Sequence, residues 1–123
     1  MRTALDGLRA CGYVRTLLPD PAGLEGTAQQ VRDFAQRTGI ELQHVFRDVG
    51  TTAPDEPFMP GFVAALDDLR ERHADAIIIP SPGHLSLLPD VRRWMTRMIR
   101  EHGGQLIVMD TPCSVRVIPS EPR

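Results

Sequence analysis

The sequence predicts an α/β domain of three layers, with a mostly parallel sheet of four to five strands and helices on both faces. Four short apolar runs of strand length alternate along the chain with three segments whose apolar residues recur at helical spacing. Glycine, proline and acidic residues punctuate the junctions. The length, 123 residues with 41% hydrophobic content, suits one domain with a real core and is too short for two ordinary ones.

The first strand is CGYVRTLL, residues 11–18, ending in the turn-rich PDPAGLEG. Ala28, Val31, Phe34 and Ala35 then repeat at helical spacing, and Gly39 stops the helix. In the second strand, residues 40–49, strict alternation puts Leu42, His44 and Phe46 on one side and Glu41, Gln43, Val45 and Arg47 on the other. A loop over 50–61 follows, whose acids Asp55 and Glu56 keep it solvated. Phe62, Leu66 and Leu69 mark a second helix, DAIIIP a third strand, residues 87–102 a third helix, and GGQLIVMD a fourth strand. CSVRVI, residues 113–118, reads as a short last strand before a polar tail. Four strands joined by three helices imply right-handed crossovers. There is no internal repeat, domain linker or low-complexity tract.

All fourteen basic residues are arginine, and lysine and asparagine are absent, a bias that reflects GC-rich coding. The net charge of −2 is poor material for coating a phosphate backbone, although a local basic face remains compatible with it. Cys11 and Cys113 have no CxxC or zinc spacing, and no secretory leader precedes the first strand, so the expected setting is cytoplasmic with reduced thiols. No apolar run approaches the roughly 18 residues of a membrane span. The four histidines share no metal spacing, and neither GxGxxG nor GxxxxGK[ST] occurs. Neither a metal nor a cofactor is expected.

The carboxyl ends of parallel strands are where ligands and catalytic groups gather. Yet from Pro80 to Leu88, just past the third strand, the chain holds no carboxylate, lysine or arginine; His84 and two serines are its only polar side chains.

The sequence resembles the N-terminal catalytic domain of serine recombinases, the resolvase and invertase family, from about Cys11 to Asp110. The likeness rests on GYVRT, GLEGTAQQVRDFAQRTGIEL, VFRDVGTT, MPGFVAALDDLR and DAIIIPSPGHLS, in that order and spacing. The resemblance implies a fold, and an activity in which a serine attacks a DNA phosphodiester while arginines neutralise the phosphate. It also implies where those groups belong. The nucleophile is expected two residues after Arg15, where Leu17 stands. The arginine before the second helix falls on Met59, and the family's Asp-Arg-Leu-Ser-Arg signature falls on Gly83, His84, Leu85, Ser86 and Leu87. Of the functional pattern only Tyr13, Arg15, Asp48 and Ser86 remain in place. The quiet loop is therefore where the phosphate-binding arginines would have been, and the pocket is expected to be vestigial. Thr16 faces away from Arg15 in an extended strand, and Ser81 and Ser86 have no evident base. The family's long dimerising helix and DNA-binding domain have no counterpart after the fourth strand, so 1–123 is expected to be a single domain.

Three functions fit. The first is an inactive recombinase-like domain serving as a protein-interaction or regulatory module. It would pair with itself or a protein partner through the third helix, where Trp94 is the natural anchor, or through the terminal strand with Val115 and Val117. The second is a DNA-associated accessory factor of recombination or transcription, using Arg92, Arg93, Arg97 and Arg100. A solvated face that complements the helix dipole is the simpler reading of those arginines. The third is a small-ligand enzyme reusing the strand-end pocket around Arg15, Asp48 and His84. Arg15 and Asp48, at the ends of neighbouring strands, are expected to pair. Leu87, Leu88, Val91, Met95, Met98 and Ile99 read as core.

Overall fold

A computed structural model describes residues 6–16, 21–49, 59–81, 84–85, 89–111 and 114–118. In chain order the elements are β1 (Arg9–Thr16), α1 (Pro21–Thr38), β2 (Glu41–Val49), α2 (Pro60–Arg70), β3 (Ala76–Ile79), α3 (Pro89–Glu101), β4 (Gln105–Thr111) and β5 (Ser114–Ile118). They build one five-stranded sheet in the order β2-β1-β3-β4-β5. The first four strands are parallel and β5 is antiparallel to β4. This is the expected α/β architecture, and the terminal strand is present. Of the third helix expected over 87–102, α3 covers Pro89–Glu101; residues 87 and 88 lie outside the described residues and His102 falls in the turn after it.

The pleat divides the core in two. Ala10, Val14, Ile78 and Ile107 point to the face covered by α1, where Ala28, Val31, Phe34 and Ala35 meet them. Cys11, Tyr13, Ile77, Ile79, Leu106 and Val108 point to the other face, under α2 and α3. β3 is buried on both sides, which explains its unbroken apolar sequence. Gly12 lets α1 approach β1 closely, since a Cβ there would lie 2.8 Å from Val31 Cγ1. Gly39, at φ 78°, ends α1, and its carbonyl accepts a hydrogen bond from Gly7 N at 2.8 Å.

One expectation fails on β2. Ala10 pairs with Leu42, but Gly12 pairs with Val45, so a bulge adds one residue to β2 and reverses the alternation. Leu42 and Val45 pack under α1, while Phe46 joins the opposite core. The bulge is what turns Phe46 and Asp48 toward α2.

Replacing Phe34, 2% exposed, by alanine is expected to lower unfolding stability by about 3–5 kcal/mol. Val63→Ala, at a position 55% exposed, is expected to change it by less than about 0.5 kcal/mol. Chemical denaturation of both variants checks the assignment of faces.

Candidate functional site

The carboxyl end of the sheet is organised by Asp48, the one charged residue buried among those described, at 5% exposure. α2 begins at Pro60 after Met59, and Met59 has no side chain able to cap a helix. Asp48 supplies the cap from β2: its Oδ1 accepts from Gly61 N at 2.7 Å and its Oδ2 from Phe62 N at 3.1 Å. A carboxylate at a helix amino end satisfies otherwise unpaired amides and opposes the helix dipole. Gly61 is required for the approach, because a Cβ there would lie 2.5 Å from Arg47 O.

Tyr13, fully buried on β1, donates its hydroxyl to Asp48 Oδ2 at 2.6 Å. Its ring meets that of Phe62 edge-on, with centroids 5.6 Å apart. Burial, then the bond to Asp48 and the charge of that carboxylate, hold the phenol far above its ordinary pKa. A hydroxyl kept protonated and pointed at a carboxylate is a structural donor and not a nucleophile.

Arg15 and Asp48 are register partners across β1 and β2, yet the expected ion pair is not among the described contacts. The Asp48 oxygens are taken up by Tyr13 and the α2 amides. Arg15 Nη1 donates instead to Leu85 O at 2.9 Å and lies 3.6 Å from Met59 Sδ. Met59 and Leu85 are both buried, so the guanidinium rests against a thioether and a carbonyl.

His84 closes the arrangement from the other side. β1 and β3 stop pairing at Gly12 and Ile78. Further along β1, the backbone N–H of Arg15 donates to His84 Nδ1 at 3.1 Å. Nδ1 must therefore be unprotonated, which leaves the proton of the neutral ring on Nε2. An imidazole in this state has no free lone pair for a general base. Burial also lowers its pKa. Ser81 is exposed and contributes its carbonyl, which accepts from His84 N at 3.0 Å.

Tyr13, Arg15, Asp48, Met59 and His84 thus converge at one strand end. Leu17, Gly83, Ser86, Leu87 and Leu88 lie outside the described residues. Gly61, Phe62 and Leu85 complete the site, in roles that the sequence reading did not foresee. Backbone atoms do the work at all three, and the signal available for Gly61 was a glycine directly after the proline that opens α2. Thr16 and Arg15 alternate on β1, in line with opposite directions for the two side chains.

α3 carries the remaining candidates. Met95 and Ile99 are fully buried, and Val91 and Met98 pack against the same core. Trp94 is 41% exposed and turned toward α2, its ring centroid 6.4 Å from that of Phe62. Arg92 stands about 160° round the helix from Trp94. Arg93, Arg97 and Arg100 stand about 100°, 60° and 120° round from Trp94, on the side of α3 opposite the buried Met95 and Ile99. Arg93 and Arg97 are exposed, Arg92 and Arg100 half-buried, and Arg93 forms an ion pair with Asp90. Val115 and Val117 lie in β5.

Among the described residues no three His, Cys, Asp or Glu side chains group as a metal site, and no helix is long and apolar enough to cross a membrane. Cys11 is buried, and its thiol is pushed up to about 12 by burial, with the charge of Asp68 adding to the effect; it is inert. A cleft of about 350 Å³ lies at the opposite end of the sheet, lined by Arg70, Arg72, Asp75, Glu101 and His102. None of the strand-end residues reaches it.

Known structures share this fold. The C-terminal catalytic domain of ISC1926 TnpA, an IS607-like serine recombinase, superimposes with a TM-score of 0.70 over 85% of this chain and 71% of its own, at 16% identity. The N-terminal catalytic domain of TP901-1 integrase does so at 0.70, over 83% and 77%, at 12% identity. A resolvase family site-specific recombinase from Streptococcus pneumoniae gives 0.68, over 84% and 72%, at 13% identity. The fold is that of serine recombinase catalytic domains. No protein-family model and no curated protein matches the sequence.

Two measurements follow from this geometry. Tyr13→Phe is expected to cost about 1.5–3 kcal/mol, by removing one hydrogen bond to a buried carboxylate. Asp48→Ala should cost more, because the α2 cap goes with it; equal losses in thermal denaturation would contradict the shared role. The second concerns pH. His84 has a lowered folded-state pKa, so its contribution is complete above its unfolded value of about 6.5 and is lost as pH falls from there through the folded value. The stability difference between wild type and His84→Leu should therefore shrink below about pH 6.5. A difference independent of pH would contradict the Nδ1 acceptor.

Proposed function

We propose that this chain is a serine-recombinase-fold domain that does not cut DNA and acts as an interaction or regulatory module, associating with a second copy or a protein partner. The observation that carries this reading is that the described strand-end groups are closed off by bonds to the protein's own atoms. Phosphoryl transfer needs a nucleophile and several cationic donors aimed at spread negative charge. Arg15 is bound back to Leu85 O and Met59 Sδ, the acceptor nitrogen of His84 is held by a backbone amide, and Tyr13 is held by Asp48. The resemblance adds that leucine stands at the nucleophile position, Leu17, and that Gly83 and Leu87 replace charged residues. Losing one oxyanion-type donor costs roughly 3–4 kcal/mol of transition-state stabilisation, and here several are missing together. The same closure weighs against a small-ligand enzyme at this pocket.

A second reading, a DNA-associated accessory factor, is favoured by one feature. Arg93, Arg97 and Arg100 lie on the side of α3 opposite the buried Met95 and Ile99, and Arg97 there is exposed. Its ion pair with Asp90 leaves Arg93 less free to meet phosphate.

Incubation with duplex DNA followed by denaturing electrophoresis is expected to give no covalent protein–DNA adduct; a serine-linked adduct would overturn the first reading. Light scattering with and without a mixed-sequence duplex separates the two readings. The module is expected to keep its mass when DNA is added. The accessory factor would form a complex that dissolves as salt rises, with a log–log slope of about −0.9 per phosphate contacted.

A further inference from the structure

The sheet has two edges, and they differ. β2 forms one edge; it carries the bulge after Leu42, presents Glu41, Gln43, His44 and Arg47 as exposed or half-exposed polar residues, and is braced by the Arg47–Glu25 ion pair at 2.8 Å. Bulges and charges of this kind blunt an edge against further pairing. β5 forms the other edge, antiparallel to β4 and outermost in the strand order. Its sequence is Ser-Val-Arg-Val-Ile, with three β-branched aliphatic residues, one charge, and neither proline nor glycine. Every second amide and carbonyl of such a strand points away from β4, a template for one more strand.

We propose that the free edge of β5 pairs with β5 of a second copy, antiparallel about a two-fold axis, joining two five-stranded sheets into one. This rests on the reading of the chain as a self-associating module and names the surface it uses. A second copy fits for two reasons. Antiparallel pairing about a two-fold axis is self-complementary, each strand supplying the donors and acceptors that the other needs. It also closes, because among the described strands the edges left are the two blunted β2 strands, so the product is a dimer and not a fibre. Trp94 is a weaker anchor, since its ring already leans on Phe62 of the same chain.

The experiment is light scattering of the full chain over a concentration series, with amide hydrogen exchange at residues 114–118. Salt is held near ~0.15 M, where a screening length of ~8 Å limits repulsion between the two arginine flanks. The expected result is a dimer in which alternate β5 amides exchange at least tenfold more slowly than in the dilute monomer. Two neighbouring variants, Arg116→Pro and Val117→Pro, add a signature, because consecutive amides point to opposite edges. One of them should give a monomer with near-native melting temperature, and the other should lose stability by breaking the pairing with β4. A chain monomeric at every concentration overturns the proposal, as does a dimer whose β5 amides exchange as fast as the monomer's. Neither result touches the reading of a domain that does not cut DNA, which fails only on a covalent adduct.

Discussion

The Asp48 carboxylate is the interaction on which the rest of the strand end depends. It joins three elements through three hydrogen bonds: the phenol of Tyr13 from β1, and the amides of Gly61 and Phe62 that open α2. A charge 5% exposed is tolerable only with such partners. Because the acceptor comes from β2 and the donors from α2, the bonds set where α2 starts and how it lies on the sheet. α2 then buries Phe62, Leu66 and Leu69 against Tyr13, Ile77 and Ile79. The bulge in β2 is the geometric condition for all of this, since without it Asp48 would face the α1 side.

The same bonds account for the chemical quiet of the pocket. In a phosphate-handling site, cationic donors point into open space and wait for a ligand. Here each group already has a protein partner: Tyr13 points at Asp48, Arg15 at Leu85 O and Met59 Sδ, and the Arg15 amide at His84 Nδ1. Met59 and Leu85, both buried, set apolar atoms and a carbonyl beside the Arg15 guanidinium.

Much of the fold was legible. Val31, Phe34 and Ala35 lie on the buried face of α1, where their spacing put them, and the unbroken Ile77–Ile79 run is a strand buried on both faces. β2 was misread because alternation carries no mark of an inserted residue; Gln43 and His44 look like any polar pair until Ala10 and Gly12 are seen opposite Leu42 and Val45. At the site, Tyr13, Arg15, Asp48, Met59 and His84 were identified, but not their bonds. Asp48 and Arg15 are opposite charges on neighbouring strands, and a simple pairing followed from that. Nothing local to Asp48 announces that the amides of Gly61 and Phe62, 13 and 14 residues on, are its partners. Leu85 was placed in the signature, but its role was not legible for a similar reason, since it acts through a carbonyl that every residue has.

The central claim is that the strand-end groups are committed to one another and unavailable to phosphate. Nuclear magnetic resonance of the Arg15 guanidinium and the His84 ring, titrated with a short DNA duplex at low salt, tests it most directly. The account predicts that both signals stay fixed, with His84 in its Nε2–H tautomer throughout. A saturable shift of the Arg15 guanidinium, accompanied by loss of the His84 Nδ1 acceptor, would contradict it and make the pocket a working phosphate site.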